Sequence, residues 1–462
     1  MSPLSQTQVC ATVTARDIPP ENNNNSRASV DIVVALDVSG SMSGTKLNLC
    51  KVTLKLLLGE LCERDRFGLV VFSSTARTVL PVKRLTPPHR DRATFEIERL
   101  QTKDTTNISG GIGLAMQEMR AVEERPNEVR CVFLLTDGHA NVGIRDAGGI
   151  VALAKNCLNQ LSGNNNPPVT IHTFGYGSDH DDELLRTLSL TSPVGGGAGT
   201  YYFVETDDNV VSAFGDALGG ILSVVAQNTV LTLSVVAPDV RLIDVHHGSK
   251  TVVQEGRVYK VAMGDFYAQE TRDVIFTTTL AESPPHNAVE RPVPHVQVSM
   301  DYTDTIDKKM VTVAPVAASI NRPFRTDAVS KTDPYVAWQC LRIDTTAVMA
   351  KAQNIAKRGD VDAARGVVND QLEKIRGVAA EIDGGDGGNP LAAQLVSDLT
   401  NVLGGLLDRG TFRSYGGKVM RNTIASHRHQ RSGEASPTVM NMYRTSRKKF
   451  MSQKCYNSAF GK

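Results

Sequence analysis

Val30-Asp31-Ile32-Val33-Val34-Ala35-Leu36-Asp37-Val38-Ser39-Gly40-Ser41 is the stretch on which the fold turns. From Val30 to Val38 it is apolar apart from Asp31 and Asp37, as expected of a strand buried on both faces. Lys46–Leu61 then repeats apolar residues at helical spacing. Outward from there, further strands are expected at Phe67–Phe72, near Thr78–Leu80, and at Val129–Thr136, Val169–Gly175 and Thr200–Val204. Helices fit Arg92–Leu100, Gly110–Glu124, Asp146–Leu161, Asp181–Leu190 and Asp207–Ala226. Buried strands alternating with helices predict a doubly wound, mostly parallel α/β sheet of Rossmann-like form over residues 30–226. Ligands of such sheets bind beyond the carboxyl ends of the strands. Asp37, Asp137 and the segment Gly177–Asp182 each follow a strand directly, so they gather at one rim.

The texture changes on either side of this region. Residues 1–29 read as an N-terminal extension, a short strand or tail followed by the polar run Glu21–Ser26. Over residues 227–320 short strands follow one another without helices, at Val230–Val236, Val240–Val245, Thr251–Val253, Val258–Ala262, Arg272–Thr279, Val296–Tyr302 and Lys308–Val313. Their Pro, Gly and Asn/Asp punctuation predicts an antiparallel β-sandwich. A helical region is expected over residues 321–408, with helices at Ala347–Arg358, Val361–Arg376 and Leu391–Leu407. Gly359 is placed to end one helix and Asp360 to cap the next. Residues 409–462 are polar and low in apolar periodicity, and are expected to form a flexible tail with one short helix around Met440–Phe450.

The formal charge of +1 hides an asymmetry. From Arg409 to Lys462 there are 12 basic residues against one acid, Glu434, which leaves 38 basic and 48 acidic residues elsewhere, a net of −10. A negative body and a positive tail attract one another, and the alternative is a tail that docks an anionic partner. The near-neutral total argues against a nucleic-acid binder. The seven cysteines form no C-x-x-C pair, which excludes zinc ribbons, RING fingers and redox motifs of that spacing. Met1–Asn25 lacks an apolar signal core, and no stretch approaches the roughly 20 apolar residues of a membrane helix. Together these favour a cytoplasmic protein.

The chemistry is concentrated in Asp37-Val38-Ser39-Gly40-Ser41. A hard dication wants oxygen ligands in octahedral array, and Mg²⁺ keeps several waters. One carboxylate and two hydroxyls on a tight turn supply that at small charge cost, with Gly40 expected to let the backbone bend. Competing readings fail on spacing. Thr45 and Lys46 stand one place out of register for a phosphate loop, Gly111-Ile112-Gly113 lacks the third glycine of a dinucleotide fingerprint, and Met42 stands where a nucleophile elbow needs Ser. Asp179-His180-Asp181-Asp182-Glu183 reads as a helix start capped by Ser178 or Asp179, and less readily as a second metal site. His139 and Asn141 are candidates for the rim beside Asp137, while His246-His247 and His427-x-His429 lack carboxylate company and are expected to bind no metal.

These residues resemble the von Willebrand factor A family, in which D-x-S-G-S is completed by a Thr and an Asp from two later loops. The matching positions are Thr106 in Asp104-Thr105-Thr106-Asn107-Ile108 and Asp137 in Leu134-Leu135-Thr136-Asp137-Gly138. The resemblance implies a metal-ion-dependent adhesion site of Asp37, Ser39, Ser41, Thr106 and Asp137. It would hold Mg²⁺ (or Mn²⁺ or Ca²⁺) and bind an acidic side chain of a protein partner without catalysis. Relatives often carry Gly-Gly where this chain has Asp104-Thr105, which bears on the shape and charge of that loop. Thr173-Phe174-Gly175-Tyr176-Gly177-Ser178-Asp179-His180-Asp181 is similar to a segment of the subfamily with a Hint-associated helical region, which includes plant WAVY GROWTH-type ubiquitin ligases. Ile355–Arg365 and Ser426–Arg431 also resemble that group. Ubiquitin-pathway partners are the implied alternative, although no RING or U-box is present. A metal-assisted hydrolase is a third reading, with Asp137 or His139 as the bases near the metal.

Overall fold

The computed structural model describes residues 5–18, 27–103, 105–122, 124–162, 166–177, 179–192, 197–204, 206–280, 289–322, 333–382, 389–432 and 442–460. The chain runs from β1 (Ser5–Thr14) into β2 (Val30–Asp37), every residue of which is buried. It continues through α1 (Thr45–Glu60), β3 (Arg66–Phe72), β4 (Ala76–Arg84), α2 (Pro87–Glu98), α3 (Ile108–Arg120) and β5 (Val129–Thr136). Next come α4 (Ala147–Leu161), β6 (Val169–Tyr176), α5 (Asp182–Leu190), β7 (Tyr201–Val204) and α6 (Asp207–Ile221). The sheet order is β4-β3-β2-β5-β6-β7, parallel throughout except for β4, which pairs antiparallel with β3 at one edge. Apolar side chains from its two faces pack into two separate cores, as the continuous apolar strands require.

Asp31, the polar interruption in β2, is fully buried but satisfied. It accepts from Arg66 Nη1 at 3.1 Å and from the Asn127 N–H at 3.0 Å. Burial nevertheless pushes its carboxyl above the usual range. The helix expected to reach Ala226 stops at Ile221, where the Ser223 hydroxyl donates back to the carbonyls of Gly219 and Gly220, and Val224 opens the next strand.

That strand is β8 (Val224–Val235), followed by β9 (Val240–Val245), β10 (Lys250–Gln254), β11 (Val258–Tyr267), β12 (Thr271–Leu280), β13 (Val289–Asp304) and β14 (Lys309–Arg322). They form two antiparallel sheets, β10-β11-β8-β13-β14 and β1-β12-β9. The N-terminal extension therefore belongs to this second unit, since β1 pairs with β12 along all ten of its residues, from Ser5 opposite Leu280 to Thr14 opposite Thr271. The α/β sheet is inserted between the first strand of the sandwich and the rest. Alternation in Gln6–Thr14 marks a strand, but nothing local names a partner more than 250 residues away.

Helices α7 (Pro334–Lys357), α8 (Val361–Ile382) and α9 (Pro390–Gly404) follow, with Trp338 and Met349 among the residues of their common core. Gly359 has φ of 96°, and Asp360 accepts from the Ala363 N–H at 3.0 Å, as the sequence suggested for this turn.

The expected flexible tail is the principal correction. A short turn, α10 (Arg409–Thr411), and a π-helical turn (Phe412–Gly416) lead into α11 (Gly417–His429), and α12 (Ser446–Phe460) closes the described chain. Five basic side chains of this segment pair with acids of the body: Arg421 with Asp182, Arg431 with Glu270, Arg444 and Lys448 with Asp216, and Lys454 with Glu60. Arg431 is 8% exposed and Lys448 1%. The attraction between a positive tail and a negative body expected from composition is thus present as specific ion pairs, of which those of Arg431, Arg444 and Lys448 are buried. Close backbone approach completes the docking. A Cβ on Gly215 would fall 2.8 Å from Met451 O, and one on Gly219 would fall 2.9 Å from Arg447 O. The two glycines lie one turn apart on the same face of α6.

Candidate metal centre

Three loops meet at the carboxyl ends of β2 and β5. Asp37 ends β2 and is fully buried, with its Oδ1 accepting from the Ser39 N–H at 2.8 Å and its Oδ2 from the Thr136 hydroxyl at 2.5 Å. Burial, partly offset by these bonds, pushes its carboxyl up to about 6. Asp137 contributes to the same rise, which places the two carboxylates near one another. The Ser39 and Ser41 hydroxyls lie 3.1 Å apart, and the Ser41 hydroxyl donates to Asp137 Oδ1 at 2.6 Å. Asp37, Ser39, Ser41 and Asp137 thus form one hydrogen-bonded chain.

Thr106 comes from the loop before α3 and is 4% exposed. Its backbone is held from the third loop. Asn141 Oδ1 accepts its N–H at 2.8 Å, and its carbonyl accepts the N–H groups of Asn141 and Val142 at 3.0 and 3.3 Å. A Cβ on Gly138 would lie 3.6 Å from Thr106 Oγ1, so the loops of Thr106 and Asp137 are in direct contact. Asn141, expected at the rim, therefore acts on the backbone of Thr106. His139 is exposed at the same edge. Asp104, where this chain departs from its relatives, lies outside the described residues, and the neighbouring Thr105 hydroxyl is buried without a hydrogen-bond partner.

The first loop is shaped differently from the expectation for Gly40. Gly40–Met42 is a single 3₁₀ turn anchored by the fully buried Met42, and the left-handed residue is Gly44, with φ of 78°, which opens α1. Two residues on, Lys46 Nζ reaches Asp137 Oδ2 at 2.5 Å and the Ser41 carbonyl at 3.5 Å. Sequence reading missed this lysine. Its one signal in the sequence is its position a turn beyond Ser41. Thr136 was also missed, although its hydroxyl precedes Asp137 directly.

The donor set fits a hard dication. Two carboxylates and three hydroxyls offer oxygen alone, and a cation, the Lys46 ammonium, already stands against Asp137. Among the described residues no group of three or more His, Cys, Asp or Glu side chains gathers to offer a softer alternative.

The other candidates are structural. Asp181, not Ser178 or Asp179, caps α5, accepting from the Leu184 N–H at 3.0 Å, while Ser178 lies outside the described residues. His180 is buried against the Tyr201 hydroxyl at 2.7 Å, with its pKa lowered by burial to about 4. His427, expected to lack carboxylate company, has it from α9. Its Nε2 lies 2.9 Å from Asp398 and its Nδ1 2.8 Å from the Tyr443 hydroxyl, in the interior of the helical region. His246 likewise lies 3.6 Å from Asp244.

Known proteins are similar to this chain in sequence and in fold. An uncharacterized protein of Synechocystis sp. is 25% identical over 310 residues, covering 65% of this chain and 67% of its own length. The Arabidopsis thaliana E3 ubiquitin-protein ligase WAV3 is 29% identical over 264 residues, covering 54% of this chain but only 30% of its own. A solved von Willebrand factor type A structure from Catenulispora acidiphila aligns with a TM-score of 0.62 over 86% of each chain at 17% identity, a likeness of fold. The family model for the von Willebrand factor type A domain matches residues 31–216, the span that carries all three loops. That span of the chain, from the first buried strand through the Asp216 helix, is a von Willebrand factor type A domain.

Proposed function

We propose that this protein is a non-catalytic interaction module. In this reading Asp37, Ser39, Ser41, Thr106 and Asp137 hold Mg²⁺, and an acidic side chain of a protein partner completes the coordination. The observation that carries it is the hydrogen-bonded chain from Asp37 through Ser39 and Ser41 to Asp137, with Thr106 packed alongside. Two carboxylates balance a dication and three neutral hydroxyls add no charge, so an open coordination position on the ion can still take a carboxylate from a partner. The bound ion would supply Lewis acidity for ligand binding. The protein's own residues orient the donors: Thr136 fixes Asp37, Asn141 fixes Thr106, and Met42 pins the serine loop. Von Willebrand A domains are interaction modules, and many use a divalent metal.

Pull-down of partners by the full chain in Mg²⁺ and in chelator tests this. Recovery should fall in chelator and with Asp37→Ala, and equal recovery in all three would sink metal-dependent recognition. A second reading, a substrate-binding role in ubiquitin transfer, is favoured by the likeness to the plant ligase. It predicts co-purification of ubiquitin-conjugating or ligase components. The cysteines are all unpaired, and no helix of the described residues is long and apolar enough to cross a membrane. The free thiols support the proposal that the protein works in a reducing compartment, the cytoplasm.

A further inference from the structure

Lys46 stands in an unusual place for a surface lysine. Asp137 is 1% exposed at its side chain and Lys46 32%, so the ammonium caps a buried carboxylate from the solvent side. Its position is set by the fold. The left-handed Gly44 starts α1 directly after the serine turn, which aims the second helical residue back over Ser41 and Asp137. A Cβ placed on Gly177 would lie 4.0 Å from Nζ, so the ammonium sits between the serine loop and the turn after β6.

Both oxygens of each carboxylate are engaged. Asp37 is bound by the Ser39 N–H and the Thr136 hydroxyl, and Asp137 by the Ser41 hydroxyl and Lys46. Of these four donors only Lys46 carries charge. Without it, two neighbouring buried carboxylates would face each other uncompensated. A dication that took its place on Asp137 would meet a like charge within a few ångströms, so ammonium and metal exclude one another there. The half-exposed lysine stem gives the ammonium a route into solvent.

We propose that Lys46 is an internal counter-cation of the site: its ammonium neutralises Asp137 in the metal-free protein, and a divalent ion binds by displacing it. This rests on the metal-site reading above and adds an affinity-setting residue to it. Metal binding is then an exchange of cations, and Lys46 weakens it while protecting the metal-free fold.

The test uses the full chain and Mn²⁺ as probe, by calorimetric titration, with thermal melts in chelator as a second readout. Lys46→Met should bind Mn²⁺ roughly 3- to 10-fold more tightly than wild type, the range expected for losing a part-exposed charge-assisted pair. In chelator it should melt at a lower temperature, so its stabilisation by Mn²⁺ should exceed that of wild type. Lys46→Arg should keep wild-type behaviour, and Lys46→Gln, a smaller polar change, should follow Lys46→Met. Wild-type or weaker Mn²⁺ affinity in folded Lys46→Met and Lys46→Gln would overturn the exchange while leaving the metal site standing. Absence of Mn²⁺ binding in wild type would overturn both, and loss of binding in Asp37→Ala alone keeps the two questions apart.

Discussion

Replacing Asp216 by Ala should release the C-terminal helix from the von Willebrand A domain. Asp216 is fully buried and accepts from three groups: Arg444 Nε at 2.9 Å, Lys448 Nζ at 2.7 Å and the Tyr202 hydroxyl at 2.9 Å. The Arg444 and Lys448 side chains are 3% and 1% exposed. Removing one partner of a buried pair costs about 3–5 kcal/mol, because the remaining charge is stranded, and the lost tyrosine bond adds about 1 kcal/mol. Loss of the shared carboxylate leaves two buried cations side by side, with Lys448 still on the Ser432 carbonyl at 3.4 Å, and favours release of α12 from α6 so that both reach water. The cost is then capped by the burial that α12 gives up, chiefly Met451 and Cys455, both buried in the core beneath α6. A loss of about 3–4 kcal/mol in urea unfolding is expected. Limited trypsin digestion should cut at Arg444, Arg447, Lys448 or Lys449 far faster than in wild type. Asp216→Asn keeps an acceptor and should fall between. Lys454→Ala, which breaks a pair with 47% of the lysine side chain exposed, should cost less than about 1 kcal/mol. If Asp216→Ala left the urea midpoint and the tryptic pattern unchanged, the buried-pair account of the tail would be refuted.

Four further outcomes follow from the geometry. Because burial raises Asp37 to about 6, a proton competes with the metal there, and Mn²⁺ affinity should fall roughly tenfold per pH unit below that value and level off above it. The same shift has the opposite sign for the metal-free fold: the folded state holds the proton more tightly, so chelated protein should gain stability as pH falls from about 6 toward 4, a trend that pH-dependent urea titration will read. Gly111→Ala should destabilise by about 1–3 kcal/mol, since its Cβ would fall 2.4 Å from the Phe72 ring under the Thr106 loop, and calorimetric melting checks it. Deleting residues 5–14 should expose the edge of β12 and lower the melting temperature, whereas an inert terminal tail would leave it unchanged.

The α/β sheet was legible because its signal is local. An apolar run ending in Asp37, then helical spacing, defines each strand–helix unit without reference to distant residues. Two of the three donor loops follow from the same logic, since those of Asp37 and Asp137 begin where β2 and β5 stop, whereas Thr106 lies between α2 and α3 and was legible only through the family resemblance. What was illegible depended on partners far apart in sequence. β1 reads as a strand, but its place in the sandwich is fixed by β12. The tail reads as polar because a lysine paired in the interior, such as Lys448, is spelled like one in water. Lys46 was hidden for a related reason. Its meaning comes from Asp137, 91 residues later, and from the turn that Gly44 makes.

Anomalous diffraction from crystals of the full chain grown with Mn²⁺ tests the central claim most directly. The account predicts a strong anomalous peak among Asp37, Ser39, Ser41, Thr106 and Asp137, within coordinating reach of the two serine hydroxyls, and its loss in Asp37→Ala. A Mn²⁺-saturated crystal with no peak there, or with Lys46 still on Asp137 and the ion bound elsewhere, would contradict it.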